Sequence, residues 1–197
     1  MLQTWFKIAF SFLALAFFWP FASIVWAADP PPAAAKASPR ILIAYFSWSG
    51  NCKTLASAIQ GVVGGDIFEI RPKVPYPTSY DTTVEIGKKE KNEGARPAID
   101  GMVEDLSRYD VVILGYPIWW GEPPMAVYTF LESGDFAGKV IVPYCSHKGS
   151  GLSGTVEALK KKLPNSTVTP GLAVRDGEAG RSGEAIAAWL KLAGLNG

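Results

Sequence analysis

After a first block that is apolar almost throughout, the chain settles into short apolar runs separated by polar loops and amphipathic stretches. Arg40-Ile-Leu-Ile-Ala-Tyr-Phe46 is continuous, β-branched and aromatic, the pattern of a strand buried on both faces. After a polar loop, Leu55, Ala56, Ile59 and Val62 recur at helical spacing until Gly64-Gly65 ends the pattern. Asp66-Ile-Phe-Glu-Ile-Arg71 alternates and meets Pro72, which predicts a second, shorter strand. Residues 72–98 are polar and Pro-rich, with a helix expected over Val84 to Asn92. Asp110 to Tyr116 and Lys139 to Cys145 are two further buried strands, followed by helices over Met125 to Leu131 and Leu152 to Lys162. A last strand over Thr167 to Val174 leads to a helix over Gly183 to Leu192. Five strands alternating with helices predict an α/β fold with a parallel sheet covered on both faces, since parallel neighbours need crossover connections. Such sheets bind ligands beyond the carboxyl ends of their strands, so the loops after the first, third and fourth strands carry the functional expectation.

Composition adds an appendage to this single domain. With 197 residues, 48% of them apolar, the chain can build a sizeable core. In residues 1–28 the one charged side chain is Lys7, followed by an apolar run and small residues near Val25-Trp26-Ala27. This predicts an export signal cleaved after about Ala27, with an uncleaved membrane anchor as the alternative, and hence a periplasmic or secreted protein. Residues 29–39 (DPPPAAAKASP) read as a linker, which leaves 40–197 for the domain. With 19 basic and 18 acidic residues there is no electrostatic footprint for nucleic acid, and without Lys7 the chain is formally neutral. A lone histidine and two unpaired cysteines, Cys52 and Cys145, give no support to a metal site, and two free thiols are the expectation.

Three loops carry the candidate chemistry. Ser47-Trp48-Ser49-Gly50-Asn51-Cys52 lies between a strand and a helix start, where unpaired N–H groups and the helix dipole favour an anion. It is not a Walker loop, and an ordinary helix cap at Ser49 or Asn51 explains the same residues equally well. Pro117-Ile118-Trp119-Trp120-Gly121 places adjacent indoles at a strand's carboxyl end. A flat ligand would give them a stacking partner; the alternative is that one covers the core and the other an interface. Ser146-His147-Lys148-Gly149-Ser150-Gly151 supplies small residues that allow close approach to a planar ring. His147 reads as a polar loop residue, Lys148 as a solvated one.

These three loops, in this order and after these strands, resemble the flavodoxins, in particular a branch with a Trp-Trp second loop, over residues 40–195. The resemblance implies a doubly wound five-stranded sheet of order 2-1-3-4-5 and an FMN site at its switch point. By position Ser47, Ser49, Asn51 and the Cys52 backbone would hold the phosphate, while Pro117 to Gly121 and Ser146 to Gly151 would flank the isoalloxazine. Cys52 stands where the family usually has Thr, which predicts a lost hydroxyl donor to the phosphate. The neutral surface departs from the acidic electron carriers and favours a reductase of quinones or similar small acceptors. In either case the flavin carries the chemistry and no side chain need act as a catalytic acid or base. Tyr76 and Tyr80 are further candidates for the ring's open side. An exported flavodoxin-fold module that has lost its flavin is the competing expectation, motivated by Cys52 and by export without a twin-arginine signal.

Overall fold

A computed structural model describes residues 38–195. The expected export signal at 1–28, the linker up to residue 37 and the last two residues lie outside the described part. No helix among the described residues is long and apolar enough to cross a membrane.

The chain runs β1 (Ile41–Tyr45), α1 (Asn51–Val63), β2 (Asp66–Glu69), α2 (Tyr80–Glu93), β3 (Val111–Pro117), α3 (Met125–Glu132), β4 (Val140–His147), α4 (Thr155–Lys162), β5 (Thr167–Val168), β6 (Leu172–Arg175) and α5 (Gly183–Leu192). The strands lie in the order β2-β1-β3-β4-β5, with β6 also beside β4, and every pairing is parallel. The expected order 2-1-3-4-5 is therefore present. Because strand side chains alternate, the apolar runs feed two cores. Leu42, Ala44, Val112, Leu114 and Ile141 pack on one face with Val127 and Phe130 of α3 and Leu159 of α4. Ile41, Ile43, Val111, Ile113 and Val142 pack on the other with Leu55 and Ile59 of α1 and Ile186 and Trp189 of α5.

The last strand differs from expectation. It is split at Thr169-Pro170-Gly171, between the pairs Ile141↔Val168 and Tyr144↔Leu172, so three residues face two of β4. Pro143 and Pro170 have no N–H to place in the ladder, and the extra residue forms a bulge. At Gly171 a Cβ would lie 2.7 Å from a Leu152 methyl, so a side chain there would have to push Leu152 aside. The two cysteines are free and buried, Cys52 in one core and Cys145 in the other, on opposite faces of the sheet.

The end of α3 is clamped to its neighbours. Glu132 accepts from Arg96 Nε at 2.8 Å and Nη2 at 2.9 Å, and from Lys162 Nζ of α4. These donors hold the Glu132 carboxyl down at about 2, against an ordinary 4.5. Since the folded carboxyl binds protons less tightly than the unfolded one, its contribution to stability is complete above about pH 5 and gone by about pH 2. The side chain is one-third exposed, and solvent screening limits the contribution to about 1 kcal/mol. Glu132→Gln is expected to lose that amount in urea unfolding at neutral pH, with the difference from wild type shrinking as the pH falls below about 4.

Candidate functional site

The phosphate-type loop owes its shape to Gly50, which caps α1 in the left-handed region at φ 89°. The loop is knitted internally: Lys53 N–H donates to Ser47 Oγ at 3.3 Å, and Asn51 Nδ2 donates to Ser49 Oγ at 3.2 Å. The N–H groups of Asn51 and Cys52, first in α1, have no partner within the helix and sit at the positive end of its dipole. Trp48 donates from Nε1 to Pro77 O at 2.9 Å, which fastens the loop to the segment ahead of α2.

Cys52 belongs to the loop through its backbone only. Its side chain is buried on the core face of α1, with Sγ 3.4 Å from Ser146 Oγ, and burial pushes the thiol up to about 11. The expected loss of a hydroxyl donor to phosphate therefore has no basis in the direction of this side chain. Buried Tyr144 donates its hydroxyl to Cys52 O at 3.0 Å and so supports the loop from below.

After β3 the chain turns tightly: Trp119 and Glu122 exchange N–H···O bonds of 2.9 and 3.0 Å, with φ 53° at Trp120 and 81° at Gly121. Two positive φ values suit glycine, not a bulky aromatic, so Trp120 must be held there. It donates from Nε1 to Val84 O at 2.9 Å and accepts at its carbonyl from Lys91 Nζ at 2.6 Å. The adjacent indoles consequently do different work. Trp119 packs edge-on against Phe46 and Tyr76 and touches α2 where Gly87 leaves room, so it mainly covers the core while still reaching the cavity. Trp120 stands exposed at the cavity's rim.

The third loop is organised by His147, whose Nδ1 accepts the N–H groups of Gly149 at 3.0 Å and Gly151 at 3.1 Å. These two bonds brace the loop's backbone. Lys148 is not simply solvated: its ammonium lies 3.8 Å from the centroid of the Tyr80 ring.

These loops close around a cavity of about 720 Å³, within the range of small-molecule and cofactor sites. Of the expected residues Trp48, Ser49, Pro117, Ile118, Trp119, Trp120, Ser146, His147, Gly149 and Ser150 line it, as does Tyr80. Ser47, Gly50, Asn51, Cys52, Gly121 and Gly151 do not; they set the backbone that shapes its walls. Tyr76 turns away, donating to Glu90 at 2.7 Å in a pocket whose desolvation raises that carboxyl above its ordinary value. Lys148, together with Thr83, Val84 and Gly87 of α2 and Asp176 after β6, completes the lining. Ser79, which accepts from Thr82 N–H, was the available signal that α2 begins earlier than Val84, and Asp176 occupies the carboxyl end of a strand where ligands are expected.

The architecture and the sequence agree with known proteins. The family model described as Flavodoxin matches residues 40–192. The chain belongs to the flavodoxin family. Among solved structures, a Bacteroides eggerthii protein designated a flavoprotein is 32% identical, covering 81% of this chain and 100% of its own, with a TM-score of 0.72. A second such flavoprotein, from Bacteroides uniformis, is 29% identical over 79% of this chain and 99% of its own, with a TM-score of 0.70. The fold is shared too with a Lactobacillus acidophilus flavoprotein solved in complex with FMN, at 22% identity, 73% and 98% coverage and a TM-score of 0.62. No curated protein matches the chain. The donor set of the Ser47–Cys52 loop fits the phosphate of FMN: it carries hydroxyls, an amide and free N–H groups but no carboxylate.

Proposed function

We propose that this flavodoxin-family protein binds FMN in the cavity and serves as a redox protein that reduces small acceptors such as quinones. The observation that carries the reading is the convergence, at one end of one sheet, of a helix start with free N–H groups and a 720 Å³ cavity walled by indoles. Bound FMN would supply the redox chemistry, passing two electrons and two protons from a reductant to a quinone. The chain's own residues bind and orient: Ser47, Ser49, Asn51 and the Cys52 N–H for the phosphate, Trp119 and the backbone of the Trp120-Gly121 turn for one side of the ring system, and the His147-braced glycine loop for the other. Tyr80 and α2 exclude water from the rim. Reduction of a small acceptor, rather than transfer to a docked protein, is supported by the near balance of 19 basic and 18 acidic residues, since charge steering is what a protein carrier exploits.

Residues 1–28 support export, with the domain working outside the cytoplasm either free or tethered. The cofactor-free alternative loses one of its motives, because the Cys52 side chain faces Ser146 in the core.

The test is anaerobic. Protein loaded with FMN and photoreduced is mixed with 1,4-benzoquinone, and flavin absorbance is followed. Reoxidation within seconds, at a rate rising with quinone concentration, is expected; a flavin that stays reduced contradicts the reductase assignment.

A further inference from the structure

Among the described residues two large side chains at the cavity rim are left in water, Trp120 at 46% and Tyr80 at 50% exposure. Each carries an ammonium on its ring. Lys88 Nζ lies 5.1 Å from the Trp120 centroid and Lys148 Nζ 3.8 Å from that of Tyr80. Among the described residues neither lysine has a carboxylate within ion-pair distance. Trp120 is kept in its positive-φ conformation by Lys91 on its carbonyl and Val84 on its indole N–H. A bulky residue held in a disfavoured backbone region, with its ring presented to solvent, points to a ligand that uses the ring.

We propose that this rim binds a planar aromatic molecule bearing a carboxylate or sulfonate, with Trp120 stacked on its ring and Lys148 and Lys88 facing its acid group. The proposal rests on the reading that FMN fills the cavity beneath. A neutral aromatic would use the indole and leave both ammoniums without a counter-charge. An aliphatic anion would use the ammoniums and leave the indole in water. An aromatic acid answers both features, and the cation on each ring is already placed to meet it. Asp176 is the carboxylate in the cavity lining, and its repulsion disfavours the acid group on the β6 side. Lys148 reaches across the mouth to Tyr80 on α2, so the favoured place for the acid group lies toward α2. Within the acceptor class already proposed, the site therefore selects acidic quinones over neutral ones.

The probes are anthraquinone-2-sulfonate and the neutral 2-(hydroxymethyl)anthraquinone, titrated into FMN-loaded protein at low salt by calorimetry. The sulfonate is expected to bind about tenfold more tightly, a typical gain for a charge-assisted contact. The double change Lys88→Gln, Lys148→Gln should remove that preference, while Lys88→Arg with Lys148→Arg, which keeps both charges, should retain it. Equal binding of the two probes by wild type, or a preference that survives the Gln changes, overturns the proposal. Co-elution of FMN is measured before each titration. If FMN is not retained, the cavity reading and this proposal fall together; if it is retained and the probes bind alike, this proposal alone falls.

Discussion

Ser49→Asp is expected to weaken FMN binding by about a hundredfold or more while leaving the apoprotein as stable as wild type or slightly more so. Ser49 is exposed, lines the cavity and lies two residues ahead of the first residue of α1. A carboxylate there sits at the positive end of the helix dipole, which contributes a few tenths of a kcal/mol to folding. The same carboxylate faces the FMN phosphate, and two like charges about 4 Å apart repel by about 4 kcal/mol at the effective dielectric of a protein surface. Solvent exposure reduces that figure, which leaves roughly a hundredfold loss as the working value. The two effects have opposite signs, which separates an anion site from an ordinary helix cap. A cap alone predicts a small gain in stability and no change in FMN affinity. Flavin fluorescence titration and urea unfolding of the same variant read both quantities.

Gly115→Ala is expected to cost about 2–3 kcal/mol of stability and to loosen the Ser47–Cys52 loop. A Cβ at this β3 position would lie 2.1 Å from Tyr144 Cζ and 2.2 Å from its hydroxyl oxygen, so the ring must move. Tyr144 is fully buried, packs edge-on against Trp189 and donates to Cys52 O, so it has nowhere to go without breaking its support of the loop. Urea unfolding should show the loss, and FMN affinity of the folded variant should fall with it. The origin can be isolated by a double-mutant cycle: with Tyr144→Leu already in place, the methyl group has room, and the cost of Gly115→Ala should drop below about 1 kcal/mol. An undiminished cost would mean that the strain lies elsewhere in β3.

The contrast between these two positions describes what the sequence made legible. The three loops were readable because each follows an apolar run and precedes a helical pattern, and parallel topology brings such loops to one end of the sheet. Ser49 could be placed at that end of the sheet, where it lines the cavity, on that basis alone. Gly115 could not, because its need for glycine comes from Tyr144 on the adjacent strand, a neighbour set by register. Periodicity also contained an unused signal at Cys52. It lies three and four residues before Leu55 and Ala56, on the apolar face of α1, so its side chain belongs to the core. The division of labour between Trp119 and Trp120 was out of reach, since adjacent residues in a tight turn point apart and only the turn's φ values decide which faces inward. The two prolines Pro143 and Pro170 were visible, yet the split between β5 and β6 depends on the register that sets Val142 and Pro143 opposite residues 169–171. The helix expected over Val84 to Asn92 starts four residues earlier, at Tyr80, and its first turn was hard to read because α2 buries only Thr83 and Gly87 and lacks an apolar stripe.

The central claim is that this flavodoxin-family cavity holds FMN. Purified protein is mixed with a slight excess of FMN, passed through gel filtration, and its flavin absorbance and fluorescence are measured against protein concentration. The account predicts about one flavin per chain eluting with the protein, its fluorescence quenched by the neighbouring indoles. Flavin that elutes apart from the protein with undiminished fluorescence would contradict it.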